Sequence, residues 1–430
     1  MSKTPPENFN PSSPIAIVGM GCWLPGASDP RQLWENVLAR RREFRRMPDV
    51  RTPLSDYYDK TGADPDKFYQ SKVAVIDGFV FDWASYRIPE STYARTDMCQ
   101  WLALEIAHQA LKDAGFSRAS VPNDRTGVFI GNTCTGEDMR SNSLRLRWPV
   151  VRRAMVKAAQ SQSIHSENLE PFMKATEDCY KSIFPEVNED FVAGSISATI
   201  AGRICNYFDL HGGGFVVDGA CASSLATVIT AANMLSSNDL DLALAGGVDI
   251  SLDPFELVGF SRNGALSKGE IRPYDRRGDG FIAGEGGGII VLKRLADAQR
   301  DGDAIYAVIR GWGLASDGKA GIMQPVGRQQ AAAIRRAVDR AGCDLDQLDF
   351  VEGHGTGTRA GDRRTLAGDG DGHQPERRRR GAHLRHRIPQ VAHWPHKSYR
   401  GHRLVDQGGC GRQPQGRASH GELRTTKRGI

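Results

Sequence analysis

The sequence predicts an α/β fold, because apolar runs of strand length alternate along the chain with segments of helical periodicity. The clearest step from strand to helix lies at residues 215–235, where Phe-Val-Val-Asp is followed by a Gly-Ala corner and then by a small-residue helix. Residues 97–114 predict a second strong helix that stops at Gly115. A chain of 430 residues with 40% hydrophobic residues and 48 glycines is long enough for a large core with many tight turns.

The other elements follow from local patterns, taken in chain order. Strands are predicted from apolar or β-branched runs at residues 15–21, 126–131, 242–248, 289–292, 305–311 and 350–352. Helices are predicted at residues 33–38, 200–210 and 328–341. Residues 140–181 are predicted to form a charged helical excursion on the surface, and residues 43–87 are predicted to form irregular surface structure. We find no internal repeat in the sequence.

Basic residues are concentrated in the last part of the chain. The formal net charge is +5, but residues 363–430 hold 14 Arg and 2 Lys against 3 Asp and 2 Glu. These residues therefore carry +11, which leaves −6 for residues 1–362. A basic nucleic-acid-binding tail is the alternative interpretation, but the tail lacks interleaved aromatic residues, and we expect no nucleic-acid partner.

Cysteine spacing and hydropathy argue against several classes of protein. The eight cysteines form no CxxC pair and no Cys/His cluster, so we expect neither a metal site nor a disulfide framework. No apolar run approaches membrane-spanning length, and residues 1–13 are polar, proline-rich and without a signal-peptide core. We therefore predict a cytoplasmic protein with a disordered segment at residues 1–13 and no membrane association.

Cys221 is the strongest candidate for a nucleophile. It lies between the Gly-Ala corner and the helix, where unpaired backbone N–H groups and the helix dipole favour the thiolate. A lone cysteine is more often a buried structural residue, which is the interpretation we give to Cys99 and Cys205. The strand, sharp turn and helix around Cys221 instead have the order of a nucleophile elbow, which favours catalysis.

A second candidate motif follows the predicted strand at residues 350–352. Residues 352–358 read Glu-Gly-His-Gly-Thr-Gly-Thr, and the glycines allow a ligand to approach the backbone closely. By itself His354 is more often a satisfied polar residue than a catalytic one. The glycine-dense loop at residues 278–288 is not a P-loop, because no Lys-Ser/Thr follows it.

Residues 217–225, Val-Asp-Gly-Ala-Cys-Ala-Ser-Ser-Leu, closely resemble the active-site signature of β-ketoacyl synthases, in particular the ketosynthase domains of type I polyketide synthases. Residues 354–358 match the His-Gly-Thr-Gly-Thr block of the same family. The resemblance covers about residues 14–362 and implies a thiolase-like fold of two pseudo-symmetric halves in α-β-α-β-α layers. We expect the first half at residues 14–303 and the start of an incomplete second half at residues 304–368. The resemblance also implies that Glu285 is a buried acid that is paired with another residue.

The resemblance implies a decarboxylative Claisen condensation in polyketide or fatty-acid biosynthesis. Cys221 would take an acyl chain from a thioester on the phosphopantetheine arm of an acyl carrier protein. His354 would assist decarboxylation of a malonyl-type thioester and stabilise the enolate, and Thr356 and Thr358 would donate hydroxyl groups to the phosphopantetheine arm. We expect no bound cofactor, an acyl carrier protein as partner, and a homodimer.

Two other classes compete with this interpretation. Thiolases and initiation-type synthases share the fold, but the His-Gly-Thr-Gly-Thr block argues against them. The other class is a non-catalytic relic or subunit that keeps the fold and has lost turnover. Cys221 argues against a decarboxylating pseudo-synthase, in which that residue is replaced, but the tail argues for loss of activity.

The resemblance stops after Asp362. The family would continue with a Lys-Ser-x-x-Gly-His block that carries a second catalytic histidine, but residues 369–430 show no periodicity, and we predict a disordered, aberrant basic tail. When one base is dropped from a back-translation of residues 390–401, the new reading is KSLIGHTKAIAG, which contains the missing block. The same shift turns residues 383–390 into TCGIGSLK, a strand that leads into that block, and residues 369–375 into the helical MAMAIS. We therefore hypothesise a frameshifted translation. The alternative function is then a truncated, non-catalytic ketosynthase fragment that lacks the second histidine.

Overall fold

The computed structural model describes residues 13–133, 135–162, 169–319, 325–358 and 361–362. Its strands are β1 (Ile15–Trp23), β2 (Arg45–Arg46), β3 (Lys72–Val73), β4 (Thr126–Gly131), β5 (Gly214–Val217), β6 (Leu242–Asp249), β7 (Gly286–Arg294) and β8 (Ala307–Ile309). Its helices are α1 (Pro30–Leu38), α2 (Leu54–Tyr57), α3 (Glu90–Tyr93), α4 (Met98–Asp113), α5 (Glu137–Arg145), α6 (Trp148–Ser161), α7 (Leu169–Ser182), α8 (Asp190–Ser195), α9 (Ala198–Phe208), α10 (Ser223–Ser236), α11 (Pro254–Arg262), α12 (Leu295–Asp301) and α13 (Gly327–Ala341).

Six of these strands form one mixed sheet in the order β5-β4-β6-β7-β1-β8. β4 runs parallel to both β5 and β6, with Gly131 opposite Val217 on one side and Gly247 on the other. The carboxyl ends of these three strands therefore share one edge of the sheet. β7 is antiparallel to β6 and pairs Gly286 with Asp249, so the loop before β7 lies at that same edge.

Helices cover both faces of the sheet, and alternate residues of each strand point into different helix layers. In β4, Val128 and Ile130 pack in the cluster that includes helices α4 and α9. Phe129, between them, packs in a second cluster with Ala231 and Leu235 of α10. This layering confirms the α/β fold and explains why the strands are apolar runs without polar alternation.

A Gly-x-Gly pair in β1 and another just after β8 each let a helix approach the chain closely. A β-carbon added at Gly19 of β1 would clash with the carbonyl oxygen of Ala110 in α4. One added at Gly311, just after β8, would clash with the carbonyl oxygen of Ala337 in α13. The second glycine of each pair meets the carbonyl group four residues earlier in its helix. The same packing therefore occurs twice, as two similar halves require.

Two local predictions are wrong. Residues 350–352 form no strand, and Phe350 and Val351 are exposed, because no described residue pairs with them to share the hydrogen bonds of a ladder. Residues 43–87 are not wholly irregular surface, since Met47 and Phe68 are fully buried and β2 pairs with β3. Their burial depends on contact with residues 252–283, which no local pattern reveals.

The helical excursion predicted at residues 140–181 is confirmed by α5, α6 and α7. Residues 1–12 and the tail at residues 369–430 lie outside the described residues, so the predictions of disorder there stay predictions. Among the helices that the structure describes, none combines the length and the hydropathy that a membrane span requires.

Candidate functional site

Cys221 lies in a turn of 3₁₀ helix, Ala220–Ala222, between β5 and α10, and its side chain is exposed. The preceding Ala220 has a φ of 49°, in the left-handed region that a residue with a β-carbon rarely adopts. The chain therefore turns sharply from strand to helix at this point, as the nucleophile elbow predicted.

Two side chains that were not predicted from the sequence hold this turn. The Asp218 carboxylate accepts hydrogen bonds from the Ala220 N–H (3.0 Å) and the Thr133 hydroxyl (2.8 Å), which ties β5 to the end of β4. The Ser223 hydroxyl accepts from the Gly219 N–H (2.9 Å) and donates to the Ala220 carbonyl (2.6 Å). An aspartate just before Gly-Ala is a signal for such an Asx turn and could have identified Asp218.

These bonds leave one backbone donor beside the thiol. The N–H groups of Ala222 and Ser223 already bond to carbonyl groups of the turn. The N–H of Cys221 itself has no acceptor among the described residues. It is therefore in position to donate to an oxygen of a group bound at the sulfur.

The beginning of α10 is packed directly on β4. A β-carbon added at Gly131 would lie 2.7 Å from both the carbonyl carbon of Ser223 and the nitrogen of Ser224. The hydroxyl of Thr227, which is fully buried, donates to the Gly246 carbonyl of β6 at 3.0 Å. The position of the Cys221 turn is therefore set by two central strands of the sheet.

The other described cysteines have environments that differ from that of Cys221. Burial raises the pKa of Cys22 to about 12 and the pKa of Cys205 to about 11, so both stay protonated near neutral pH. Cys99 is fully buried, which fits the structural role predicted for it and for Cys205. Only Cys179 on α7 is exposed like Cys221 among the described cysteines.

The Gly-His-Gly-Thr-Gly-Thr segment is held against the glycine-dense loop before β7. The Gly280 N–H donates to the Gly357 carbonyl at 3.1 Å, and Gly357 has a φ of +70° that favours glycine. The Asp362 carboxylate accepts a hydrogen bond from the Tyr274 N–H at 2.6 Å, and the Asp362 N–H donates one to the Thr358 carbonyl at 3.0 Å.

This attachment places the two predicted catalytic residues at the same edge of the sheet. Cys221 follows the end of β5, and the loop that holds the segment of His354 enters β7 opposite the end of β6. The side chain of His354 is exposed. The catalytic roles of Cys221 and His354 and the contact between sulfur and imidazole stay predictions.

The structure brings the two predicted binding hydroxyls together. The hydroxyl oxygens of Thr356 and Thr358 are 2.9 Å apart, and both side chains are half-buried. The Gly361 N–H donates to the hydroxyl of Thr358 at 3.3 Å, which orients that side chain.

Glu285 confirms the expectation of a buried, paired acid. It is 4% exposed, and its two carboxylate oxygens lie 2.8 and 2.9 Å from one guanidinium nitrogen of Arg51. It also accepts from the Ile76 N–H at 2.7 Å. The described residues contain no cluster of His, Cys, Asp and Glu that could hold a metal ion.

The chain belongs to the β-ketoacyl synthase family. The family model of the β-ketoacyl synthase N-terminal domain matches residues 12–298, and that of the C-terminal domain matches residues 306–381. The family resemblance of the residues around Cys221 and His354 is therefore confirmed.

Relatives of the chain occur in multidomain synthases. It is 34% identical over 359 residues to the highly reducing polyketide synthase cla2 of Cladosporium cladosporioides, covering 82% of this chain and 13% of that protein. It is 32% identical over 383 residues to the non-reducing polyketide synthase tpeB of Talaromyces stipitatus, covering 84% of this chain and 15% of that protein. The chain thus spans less than a fifth of the length of these curated relatives.

Solved ketosynthase structures share its fold. The oxazolomycin ketosynthase domain of Streptomyces albus superposes with a TM-score of 0.68 at 28% identity, covering 83% of this chain and 57% of that one. The PfaC ketosynthase–chain length factor superposes with a TM-score of 0.72 at 29% identity, covering 83% of this chain and 37% of that one. The thiolase-like fold predicted from the resemblance is therefore confirmed.

Proposed function

We propose that this chain is a β-ketoacyl-[acyl carrier protein] synthase that lengthens an acyl chain by decarboxylative condensation. The observation that carries the proposal is the exposed thiol of Cys221 in a strained turn at the start of α10. The His-Gly-Thr-Gly-Thr segment is attached at the same edge of the sheet, and the chain belongs to a family of condensing enzymes.

In the first half-reaction the Cys221 thiolate attacks the carbonyl carbon of an acyl thioester on the carrier protein. The new bond joins the Cys221 sulfur to that carbon, and the bond between the carbon and the carrier sulfur breaks. The carrier leaves as a thiolate and takes a proton. The N–H of Cys221 donates to the oxyanion that forms on the way.

In the second half-reaction a malonyl-type thioester loses carbon dioxide, and the electron pair of the broken bond becomes an enolate. The N–H of a neutral His354 imidazole donates a hydrogen bond to the enolate oxygen and stabilises it without protonating the carbanion. The carbanion attacks the acyl carbonyl on Cys221, and the cysteine sulfur leaves as a thiolate. The product is a β-ketoacyl chain on the carrier protein, and no cofactor takes part.

The arm that carries the substrate is a phosphopantetheine on an acyl carrier protein. The paired hydroxyl groups of Thr356 and Thr358 support this proposal, because one hydroxyl donates to the other and the second keeps its hydrogen to donate to an amide carbonyl of such an arm. We place the reaction in the cytoplasm, where reduced thiols are the default.

A homodimer is part of the same proposal. β5 is one of the two edge strands of the described sheet, and Phe215 on it is 44% exposed. An exposed edge strand presents backbone N–H and C=O groups that can pair with another strand. A second copy of the chain supplies an identical β5 for this pairing. Analytical ultracentrifugation of the chain and of Phe215→Lys distinguishes the dimer from the monomer.

The test of the proposed function is a reconstituted condensation assay. An acyl carrier protein loaded with an acyl chain and one loaded with malonate are mixed with the enzyme, and the β-ketoacyl product is measured by mass spectrometry. Cys221→Ala abolishes the product, and His354→Ala abolishes it while acylation of Cys221 continues. Cys179→Ala and His211→Ala, at an exposed cysteine and an exposed histidine elsewhere, retain it. The proposal would be contradicted if Cys179→Ala lost as much product as Cys221→Ala, or if His211→Ala lost as much as His354→Ala.

The second candidate function is the truncated, non-catalytic ketosynthase fragment. It is favoured by the shifted reading of residues 390–401, in which the second catalytic histidine is encoded but not translated. In that case the chain accepts an acyl group on Cys221 but releases no condensation product. A repaired reading frame restores the product, whereas a chain that already condenses excludes this candidate.

A further inference from the structure

Thr133 lies beside the candidate site, in the loop that follows β4, and the proposed condensation gives it no role. Its side chain is half-buried, and its hydroxyl donates to the Asp218 carboxylate at 2.8 Å. The acceptor is the same oxygen that accepts from the Ala220 N–H at 3.0 Å. One carboxylate oxygen therefore joins the end of β4 to the residue directly before Cys221.

The loop that carries Thr133 is held by the neighbouring residue Asn132, which is 3% exposed. The Asn132 N–H donates to the Val217 carbonyl of β5 at 3.3 Å, and its side-chain amide donates to the Val248 carbonyl of β6 at 3.0 Å. The side-chain oxygen of Asn132 accepts from the Thr135 N–H at 2.9 Å. The loop is therefore bonded to both strands that flank β4, and these strands set the position of the Thr133 hydroxyl.

The Asp218 carboxylate maintains a strained backbone. Ala220 has a φ of 49°, a conformation that persists only when the surrounding bonds hold it. The peptide after Ala220 carries the N–H of Cys221, so the direction of this N–H depends on the conformation of Ala220. Without the Thr133 hydroxyl, the Asp218 carboxylate keeps one of these two bonds, and its hold on Ala220 weakens.

We infer that Thr133 is a positioning residue for acylation, which aims the N–H of Cys221 through the Asp218 carboxylate. The inference rests on the proposed function, because it concerns the oxyanion that forms when the Cys221 sulfur attacks a thioester. A donor that points away from this oxyanion stabilises it less, so acylation slows.

A second set of bonds holds the start of α10 without Thr133. The Ser223 hydroxyl accepts from the Gly219 N–H at 2.9 Å and donates to the Ala220 carbonyl at 2.6 Å, and the first turn of α10 is packed directly on β4. Removal of the Thr133 hydroxyl therefore changes the direction of the Cys221 N–H more than the position of the Cys221 sulfur.

Two reactions of the same sulfur separate the direction of the N–H from the reactivity of the thiol. Acylation by a small N-acetylcysteamine thioester forms an oxyanion on the carbonyl oxygen and uses the donor. In alkylation by iodoacetamide, the sulfur bonds to a saturated carbon and iodide leaves, so no oxyanion forms. Both rates are measured at the Cys221 peptide by mass spectrometry.

Thr133→Val removes the hydroxyl and keeps the shape of the side chain. We expect its maximal acylation rate to fall about tenfold, with an unchanged half-saturating thioester concentration and alkylation within about twofold of the parent chain. Thr133→Ser restores the donor and should recover most of the acylation rate. Thr61→Val is the matched control, because the Thr61 hydroxyl also donates to a carboxylate, that of Asp59 at 2.7 Å, in the loop between α2 and β3. It should leave both rates at the parental values.

Three outcomes would overturn the inference. They are parental acylation by Thr133→Val, an equal loss of acylation and alkylation in that variant, and a Thr133→Ser chain that acylates as slowly as Thr133→Val. If circular dichroism shows that Thr133→Val does not fold, Asp218→Ala removes the same bond from its other end and must show the same selective loss of acylation. A parent chain that is alkylated but never acylated at Cys221 would contradict the proposed function itself, and the inference with it.

Discussion

The replacement Gly131→Ala tests whether β4 fixes the position of the Cys221 turn. The added β-carbon would lie 2.7 Å from the backbone of Ser223 and Ser224, whereas ordinary contact begins at 3.4 Å. The beginning of α10 must therefore move by about 0.7 Å, because the carbon meets backbone and not a flexible side chain. We expect a loss of about 2 kcal/mol in the free energy of unfolding. Acylation of Cys221 should slow about tenfold, since displacements of this size misplace a reacting group.

The assay for this prediction combines urea denaturation with the rate of Cys221 acylation by an acyl thioester. Gly202→Ala is the matched control, because a β-carbon added at Gly202 in α9 meets no described atom within 4 Å apart from its chain neighbours and the backbone of its own helix. That control should keep the parent rate and gain up to about 1 kcal/mol from the better helix propensity. A Gly131→Ala protein with parental stability and rate would refute the account of how the turn is held. If it does not fold, Ser223→Ala tests the same turn by removing two hydrogen bonds.

Three further predictions concern the thiol, the buried ion pair and the reading frame. Limited alkylation near neutral pH should modify Cys221 before Cys179, and equal rates for the two exposed thiols would show that the turn does not activate Cys221. Arg51→Met should lower the free energy of unfolding by about 3 kcal/mol, because it removes the cation that lies against the buried Glu285 carboxylate, and the double variant with Glu285→Leu should recover part of that loss. Resequencing the gene should reveal one base gained or lost between the codons for residues 362 and 369, and an unshifted gene would end the frameshift hypothesis.

The layered sheet could be predicted from the sequence because its signals are local. The apolar run at residues 126–131 coincides with β4, and the helix predicted at residues 328–341 differs from α13 by one residue. Both have the period and the turn residues that strands and helices require. The strand predicted at residues 350–352 failed because an apolar run becomes a strand only beside a partner that shares its hydrogen bonds.

The equivalent packing at Gly19 and at Gly311 could not be predicted in the same way. The two sites resemble each other in how Gly19 packs on α4 and Gly311 packs on α13. The residues that flank the two glycines differ, so the sequence alone does not show the likeness. A search for two Gly-x-Gly pairs, together with helices that have small residues one turn apart, could have found this relation. The burial of Phe68 was missed for a similar reason, since its neighbours are about two hundred residues away.

The candidate site was recognised from the residues around Cys221, but the groups that shape it were not. Asp218 and Ser223 act through hydrogen bonds within the turn. The Asp-Gly-Ala order signals the Asx turn of Asp218, whereas a serine in the first turn of a helix is too common to stand out. The left-handed conformation of Ala220 has no signal at all, because alanine at that position is unfavourable and only the surrounding bonds maintain it.

The most direct measurement of the central claim is the site of acylation. The chain is incubated with an acyl carrier protein that bears an acyl thioester, digested, and analysed by mass spectrometry for the peptide that gains the acyl mass. We predict the acyl group on Cys221 and its absence in Cys221→Ala. An acyl group on Cys179, or the same extent of acylation in Cys221→Ala, would contradict the catalytic role of Cys221.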